Sequence, residues 1–416
     1  MKIIKRLIFI GILGFLSLGL LGCAGDEQAE GPFTITYVDY YGEVIKVIES
    51  DGEGNYTVNG DPVIDLEEPE DKPSNVGKKY FTRWSVWESE LEDINKDTTI
   101  KPVYTLDNRL ITIGSTSIYF YAFFIMTGMF VALAIGVKET KRIGLEKDDL
   151  IDGFLWIVPF AIIGARLWFV INEFDEFTGT TGERILKMIG FSSGTLDFGS
   201  FGLAGLAIHG AVIVAIIGAI IYTKKKKIDL FKILDIVAIG FIIAQAFGRW
   251  GNFFNQEAHG GIVGGATNGV MNLSIQEQFN YLRYNLHLPE FIVNNMYILK
   301  GLNFSYTEPF TGYYHPTFFY ESSLNIIGFG IMLVLRRWKK VHFGELLSFY
   351  LVWYGGVRLL METMRTDPLT FELFGTTFKT PVVTSVVMII AGILLSIYIR
   401  TKRKGMDYSQ AKNPWF

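Results

Sequence analysis

The stretch that decides the fold is LFKILDIVAIGFIIAQAFGRWGNFFNQEAHGGIVGG, residues 230–265. Its first part, about 230–247, is apolar over nearly the 20 or so residues that a helix needs to cross a membrane. Its second part, 248–265, sets five polar side chains among glycines and aromatic residues: Arg249, Asn252, Asn255, Gln256 and Glu257. A polar cluster directly after an apolar span predicts a functional site at a membrane boundary. The alternative interpretation is a polar helix end with glycine caps.

Six further apolar stretches have a similar length, so the sequence predicts seven transmembrane helices. The fold class expected is an α-helical polytopic membrane protein over residues 110–402, with a tail at 403–416. The seven spans are expected at about 111–137, 151–172, 200–222, 230–247, 316–335, 344–361 and 381–399.

Four basic clusters predict the orientation of these spans. They follow the first, third, fifth and seventh spans: KETKR at 138–142, TKKKK at 223–227, RRWKK at 336–340 and RTKRK at 400–404. Alternation puts all four on one side, and short loops rich in Lys and Arg lie in the cytoplasm. We therefore expect the N-terminus outside and the C-terminus in the cytoplasm.

Ionisable residues inside the predicted spans are further candidates, since their burial in a membrane is costly. His209 is either a packed core histidine or a functional group, and Arg166 is either an interfacial anchor or a supporting residue. Tyr121, near the outer end of the first span, lines the site or belongs to an aromatic belt. Two more clusters are HPTFFYES (315–322), with His315, Tyr320 and Glu321, and YGGVRLLMETMRTD (354–367).

The second of these clusters places Arg358, Glu362 and Arg365 at i, i+4 and i+7, so they share one helical face. Either they form an internal salt-bridged stripe or they present a second cationic wall to Arg249. Arg supplies a planar donor fork that suits phosphate, and a nearby Glu can orient it or bind a polyol hydroxyl. The sequence has no HExxH motif and a single cysteine, so we expect neither a metal nor a cofactor.

The N-terminal stretch MKIIKRLIFIGILGFLSLGLLGC is basic, then apolar, and reaches Cys23 after a small residue. This pattern is typical of an export signal, predicted at 1–22 and followed by a tether at 23–31. The alternatives to a role for the cysteine are an ordinary export signal or an uncleaved anchor helix, each with an incidental cysteine. One cysteine cannot form an internal disulfide, so its position next to the expected cleavage site needs another explanation.

Residues 32–108 predict a small extracytoplasmic β-rich domain. The segment FTITYVDYYGEVIKVI alternates enough for two strands with a turn near Tyr41 and Gly42. Residues 30–109 hold 18 Asp and Glu against 8 Lys and Arg, and the whole chain has a net charge of −4. No region is basic enough to indicate nucleic-acid binding.

Three resemblances follow from these motifs. LLGC at 20–23 resembles the lipobox of bacterial prolipoproteins, whose cysteine receives diacylglycerol and becomes the mature N-terminus. The segments ITYVDYYGEVIKV and FTRW…INKDTTIKPVYT resemble β-grasp-like repeats of Gram-positive surface proteins. Residues 110–400 resemble the phosphatidylglycerol–prolipoprotein diacylglyceryl transferase family through GRWGNFFNQEAHGG, GARLWFV, LAIHG, HPTFFYE and YGGVRLLMETMR.

The family resemblance implies roles for individual residues. Arg249 matches the signature arginine that holds the phosphatidylglycerol headgroup, with Asn252 and Glu257 as companions. His209 matches a functionally important histidine, while Tyr121, Tyr354 and Arg358 match residues of the first span and the late motif. The resemblance also implies a bacterial cell membrane location, with phosphatidylglycerol, membrane lipids and lipobox signal peptides as partners.

The implied reaction moves a diacylglyceryl group to a cysteine sulfur and releases glycerol phosphate. His209 is the first candidate for the base that takes the thiol proton, and Glu257 is the second. Arg249 and Arg358 are expected to stabilise the growing phosphate charge. Arg365, Glu362, Tyr354 and Tyr121 are expected around the bound lipid. Cys23 is the expected lipidation site if the enzyme is itself a lipoprotein.

Two other classes of protein remain alternatives from the residues alone. A polytopic transporter with an extracytoplasmic binding module also has polar groups within spans, and it predicts inverted repeats around a midplane site. A surface-display protein explains residues 30–109 and leaves the cluster around Arg249 unexplained.

Overall fold

The structure is a computed structural model that describes residues 31–113, 116–191, 194, 207–300, 309–365, 370–373, 376–403 and 407–408. Cys23, the expected signal and all of the expected tether except Gly31 lie outside the described residues. The chain divides into two compact units, which meet in sequence at Tyr104 and Thr105.

The first unit contains a five-stranded sheet with the strand order β4-β3-β2-β1-β6, in which β1 and β6 are parallel. Two further strands, β5 and β7, pair antiparallel. The strands are β1 (Phe33–Val38), β2 (Val44–Ser50), β3 (Tyr56–Val58), β4 (Asp61–Val63), β5 (Phe81–Trp84), β6 (Thr98–Ile100) and β7 (Pro102–Tyr104). The two strands expected from FTITYVDYYGEVIKVI are β1 and β2, and Gly42 in the turn between them has a φ of 91°.

Aromatic packing holds this unit together. Trp84 and Tyr37 are fully buried, and their rings meet edge to face with centroids 4.9 Å apart. Ile35, Ile48 and Ile100 pack around them from the sheet. Because inward residues alternate along β1, one face of the sheet forms the core and the other faces water.

Long helices dominate the second unit. Those of 18 residues or more within the described residues are α1 (Phe120–Ile143), α2 (Lys147–Asn172), α4 (Ile208–Lys226), α5 (Leu230–Phe254), α8 (Thr317–Leu335), α9 (Glu345–Glu362) and α10 (Thr380–Lys402). Each overlaps one of the seven expected spans. Shorter helices are α3 (Thr181–Ile189), α6 (Ile275–Asn280) and α7 (Glu290–Asn295).

Five of the long helices are long and apolar enough to cross a membrane: α1 up to Arg142, α2, α5, α8 and α10. The other two, α4 and α9, each carry three charged residues. In α9 two of these are Arg358 and Glu362 of the expected site, so the site itself lowers the apolar character of its helix. A polytopic membrane protein is therefore supported, while the number of seven spans stays a prediction.

The expected start of the third span, 200–206, lies outside the described residues. Two other helices differ from the expected spans at ends that bear on the site. The first was expected from 111, but strand β8 (Arg109–Ile113) pairs with β9 (Thr116–Tyr119), and α1 begins only at Phe120. Threonine and isoleucine dominate both strands, and such β-branched residues favour extended backbone. The fourth span was expected to end near 247, but α5 continues to Phe254 and carries Arg249 and Asn252 on its last two turns.

Glycine allows α1 and α5 to pack closely beside these residues. A Cβ at Gly251 would lie 2.7 Å from Cδ2 of Tyr121 in α1. Further along, α5 also packs against α8 and α9. The chain between α5 and α8 includes the hairpins β10 (Ala266–Thr267) with β11 (Val270–Met271) and β12 (Tyr297–Ile298) with β13 (Gly312–Tyr313). A last hairpin, β14 (Thr370–Leu373) with β15 (Thr376–Lys379), precedes α10.

Candidate functional site

Arg249 forms the centre of a polar cluster between α5, α8 and α9. Its Nη2 donates to Glu321 Oε1 at 2.7 Å, and its Nη1 donates to Asn252 Oδ1 at 3.2 Å. The hydroxyl of Tyr354 lies beside the same guanidinium. Glu321 is 2% exposed, so its negative charge is held almost entirely within the protein. The site is thus built around a fixed, oriented guanidinium.

Helix geometry brings these side chains together. Arg249 and Asn252 are three residues apart on α5 and therefore lie on one face. Glu321 belongs to the beginning of α8, and Tyr354 lies in the middle of α9. Sequence segments about 70 and 100 residues apart in the chain thereby converge on one charged group.

Asn252 extends the cluster toward Glu257 in the loop after α5. Its Nδ2 donates to Glu257 Oε1 at 2.8 Å, and Asn255 Nδ2 reaches the same oxygen at 3.3 Å. The loop has unusual backbone geometry, since Gln256 has a φ of 52° and Ala258 a φ of 55°. Left-handed φ values at residues other than glycine are costly and occur often at functional sites.

Gln256 has a structural position in this loop. Its Nε2 donates to the carbonyl oxygens of Asn295 and Tyr297, at 2.8 and 3.0 Å. We call residues 255–261, which follow α5, the signature loop. These bonds tie the signature loop to the end of α7 and the start of β12. The candidate Gln256 is therefore an anchor of the loop that carries Glu257.

Arg358 adds a second guanidinium one helical turn beyond Tyr354 on α9. Its Nη2 lies 3.2 Å from Glu362 Oε2, and Glu362 is 3% exposed. The Nη1 atom of Arg358 is buried without a hydrogen-bond partner among the described residues. Arg358 and Glu362 thus form a salt bridge within the helical face, as one of the two interpretations expected. Arg358 Nη1 is in addition a donor that can bind a phosphate oxygen.

Backbone contacts hold Arg365 next to the signature loop. Gly260 and Arg365 form an antiparallel bridge, and Gly261 N donates to the carbonyl oxygen of Met364 at 2.9 Å. On the other side of the loop, Gly260 N donates to the carbonyl oxygen of His315 at 2.8 Å. The segment 354–367 and the HPTFFYES segment therefore contact the same glycines from opposite sides.

Tyr121 packs against the signature helix at Gly251. Its hydroxyl is close enough for the charges of Glu257 and Arg249 to act on it. The tyrosine keeps 39% of its surface exposed, so its ring borders the cluster and does not fill it.

His209 lies in a different place. It is the second residue of α4, and its ring centroid is 6.3 Å from that of Trp168 in α2. No hydrogen bond joins it to the Arg249 cluster among the residues that the structure describes. It lines a cavity of about 420 Å³ together with Trp168, Phe169, Asn172, Glu173 and Thr380.

Arg166, the supporting candidate, binds backbone. Its Nε donates to the carbonyl oxygen of Met188 at 2.9 Å, and its Nη2 donates to that of Lys187 at 2.7 Å. These carbonyls belong to the last turn of α3, where a cation is favoured by the helix dipole. Arg166 therefore fastens α3 to α2.

Sequence reasoning left three neighbouring residues unassigned: Gln245, Asn325 and Tyr350. Each lies four residues from a member of the cluster, namely Arg249, Glu321 and Tyr354. The i, i+4 spacing was a signal that could have found them. Gln245 Nε2 donates to Tyr350 Oη at 2.9 Å, and the rings of Tyr350 and Tyr354 stack with centroids 5.8 Å apart.

The described cluster combines three arginines with three glutamates, namely Arg249, Arg358, Arg365, Glu257, Glu321 and Glu362. Such a set can bind a phosphodiester through oriented guanidinium donors without leaving unpaired charge when the site is empty. Among the described residues, no group of three or more His, Cys, Asp or Glu side chains is arranged to hold a metal ion.

Comparison with known proteins gives a consistent result. The family model described as prolipoprotein diacylglyceryl transferase matches residues 108–398. A phosphatidylglycerol–prolipoprotein diacylglyceryl transferase of Listeria innocua is 37% identical over 310 residues, which cover 74% of this chain and 96% of the relative. Proteins with the same name from Streptococcus pneumoniae and Streptococcus uberis are 37% and 38% identical, over 74% and 73% of this chain and 100% and 99% of theirs. The family resemblance seen in the sequence is confirmed.

Proposed function

Because the chain belongs to the prolipoprotein diacylglyceryl transferase family, we propose that it transfers the diacylglyceryl group of phosphatidylglycerol to the thiol of a lipobox cysteine. The products are a thioether-linked lipoprotein precursor and glycerol phosphate. The observation that carries the proposal is the Arg249 guanidinium, which Glu321 and Asn252 hold in one orientation beside Tyr354 and near Arg358.

Arg249 and Arg358 bind the phosphodiester of the lipid in this proposal. When the thiolate attacks the glyceryl carbon, the carbon–oxygen bond breaks and its electron pair passes to the phosphate oxygen. The phosphate charge grows from one toward two, and fixed donors in a site shielded from water stabilise that change. The Nη1 of Arg358, which has no hydrogen-bond partner among the described residues, supplies such a donor.

The thiol must lose its proton before or during the attack, since the thiolate is the nucleophile. An unperturbed thiol, with a pKa near 8.5, is only a few per cent ionised at neutral pH. We keep His209 as the first candidate base and Glu257 as the second. Since His209 lies against α2 and Glu257 lies beside Asn252, the peptide thiol would approach from the α2–α4 side if His209 acts, and along the signature loop if Glu257 acts.

The topology expected from the basic clusters belongs to the same proposal. Seven spans with an external N-terminus put the β-rich unit outside the bacterial cell membrane, and put the loops after α1, α4, α8 and α10 in the cytoplasm. Support for this comes from the five apolar helices and from the lysines and arginines at those helix ends.

Self-modification is a further part of the proposal. Cys23 follows Leu-Leu-Gly, the kind of sequence that the enzyme modifies, so we propose that the enzyme is lipidated there in cis or by another copy. The β-rich unit would then be tethered by lipid at one end and by α1 at the other.

An in vitro transfer assay tests the activity. The purified full-length protein is incubated with phosphatidylglycerol vesicles and a synthetic lipobox peptide, and the peptide mass and released glycerol phosphate are measured. The proposal expects a diacylglyceryl mass increase on the cysteine with one glycerol phosphate per peptide. A peptide that keeps its original mass, while a Listeria relative modifies it under the same conditions, would refute the proposed activity.

A further inference from the structure

A second polar layer lies one helical turn from the Arg249 site. The first layer consists of Arg249 on α5, Glu321 on α8 and Tyr354 on α9. Four residues away on the same three helices are Gln245, Asn325 and Tyr350. One turn of four residues is about 6 Å along a helix. We call this set of three residues the inner layer.

The antiparallel packing of α5 and α8 brings the inner layer together. Because Arg249 contacts Glu321, the residues one turn back on α5 and one turn forward on α8 face each other. Neighbouring contacts agree: Ser322 Oγ donates to the carbonyl oxygen of Ala246 at 3.0 Å, and Trp353 Nε1 of α9 donates to that of Leu324 at 3.2 Å. Asn325 thus lies where the three helices meet.

The inner layer has unused hydrogen-bonding atoms. Asn325 is 0% exposed, and neither its Nδ2 nor its Oδ1 has a hydrogen-bond partner in the described part of the chain. The Oε1 of Gln245 is buried and unpartnered there as well, while its Nε2 donates to Tyr350. Buried amides are nearly always hydrogen-bonded, so these two acceptors and one donor need a partner, which an ordered water or a ligand can supply.

We propose that Gln245 and Asn325 bind the two hydroxyls of the phosphatidylglycerol headgroup and so select a glycerol-bearing lipid; this inference rests on the proposed function. A vicinal diol offers two donors for Gln245 Oε1 and Asn325 Oδ1, and its oxygens accept from Asn325 Nδ2. With the phosphate on Arg249, the three-carbon headgroup covers the single turn that separates the two layers.

This arrangement gives a reason for discrimination among anionic lipids. A site with buried polar groups rejects an analogue that lacks the matching hydroxyls, because those groups are then left unpaired. Charge alone, supplied by Arg249 and Arg358, does not distinguish a glycerol headgroup from any other alcohol on the same phosphodiester. The inner layer therefore supplies specificity, and the arginine layer supplies affinity.

The test compares phosphatidylglycerol with phosphatidylpropanol, which has the same phosphodiester and no headgroup hydroxyls. Transfer to a lipobox peptide is measured with the full-length wild type, with Asn325→Leu and with Gln245→Leu. The wild type is expected to prefer phosphatidylglycerol in kcat/KM, and each variant is expected to reduce that ratio about 10- to 100-fold. Thr223→Val is the control, since it removes a buried hydroxyl bonded to Ala219 within α4 and should leave the ratio unchanged.

The outcomes are distinct. If the wild type uses both lipids equally, or if both variants keep the wild-type ratio, the inner layer holds only water or serves packing and the inference is overturned. Equal losses with both lipids also overturn it, since they indicate a structural role. If Asn325→Leu does not fold, the ratio measured with Gln245→Leu decides. A wild type that transfers from neither lipid contradicts the proposed function itself.

Discussion

Among single residues, the pairing of Arg249 with Glu321 matters most for the site. Arg249 keeps 20% of its side chain exposed while Glu321 keeps 3%, so the glutamate is the more deeply buried partner. A buried ion pair contributes little net stability, yet removal of one partner leaves the other charge uncompensated. The pair is therefore better explained as a device that orients the guanidinium.

Glu321→Gln tests this explanation. We expect the free energy of unfolding to fall by about 2 kcal/mol, below the 3–5 kcal/mol of a fully buried pair because Arg249 is partly exposed. The double variant Arg249→Gln, Glu321→Gln should recover most of that stability and remain inactive. Thermal unfolding in detergent and the transfer assay measure the two effects, with Glu176→Gln at an exposed site as the control. Equal stability of Glu321→Gln and the wild type would contradict the pairing.

His315 leads to a prediction about pH. Burial lowers the pKa of His315 below its usual value of 6.5. The unfolded chain then binds a proton more readily than the folded chain, so the free energy of unfolding rises with pH across the window between the two pKa values. Acidification from pH 7.5 through 6.5 and below should destabilise the protein.

Unfolding curves across this pH range measure the effect. His315→Gln should flatten the pH dependence, and His287→Asn, at an exposed histidine, should leave it as in the wild type. A slope that His315→Gln does not change would show that other groups cause the acid sensitivity.

At the scale of elements, the sequence predicted much and missed what depends on packing. Within the described residues, apolar length and basic flanks located each of the seven long helices, because both signals are local. The end of α5 was wrong by about seven residues, since a run of polar residues and glycines resembles a helix end. The helix in fact continues to Phe254, and Gly251 within this stretch packs closely on Tyr121.

In the candidate site, too, local features could be predicted from the sequence and features that depend on tertiary packing could not. The i, i+4 stripe on α9 could be predicted, and Arg358 does pair with Glu362. The pairing of Glu321 with Arg249 could not be predicted, because it depends on how α5 and α8 pack. The separation of His209 from this cluster is likewise a property of tertiary structure, since no local pattern encodes it.

Packing of α8 against its neighbours provides a test at this scale. A Cβ at Gly328 would lie 2.3 Å from Trp353 Nε1 and 2.7 Å from Ile242 Cδ1. Gly328→Ala should therefore force α8 away from α5 and α9, cost about 1–3 kcal/mol and lower the transfer rate. Gly330→Ala, two residues further along the same helix, meets nothing within 4 Å and should be neutral or slightly stabilising. Equal effects of the two substitutions on unfolding would contradict the packing.

At the scale of the whole molecule, the chain joins an acidic β-rich unit to a membrane unit of a known enzyme family. The relatives match about three quarters of this chain and nearly all of their own length, so the β-rich unit lies outside the part that this chain shares with them. We propose that the enzyme modifies Cys23, the single cysteine of the chain, in the segment that precedes the shared part.

Mass spectrometry of the N-terminal peptide tests this connection. Protein purified from a bacterial host should begin at Cys23 with a diacylglyceryl group on sulfur, and Cys23→Ala should keep the uncut signal. To separate action in cis from action by another copy, a tagged, inactive Arg249 variant is expressed together with an active Cys23→Ala copy in a host without its own transferase. Lipidation of the tagged chain indicates action by another copy, and an unmodified tagged chain indicates action in cis. An unmodified thiol on an uncut chain in the wild type would reject self-lipidation.

In the proposed reaction, the Arg249 guanidinium holds the lipid phosphate while sulfur displaces it. We test this by measuring kcat/KM for thioether formation from phosphatidylglycerol with Arg249→Lys. The control is Arg109→Lys, whose guanidinium pairs with Asp107. Lysine keeps the charge and loses the planar fork. We expect kcat/KM to fall about 100- to 1000-fold for Arg249→Lys and to keep its wild-type value for Arg109→Lys. A wild-type kcat/KM for Arg249→Lys would contradict this role of Arg249.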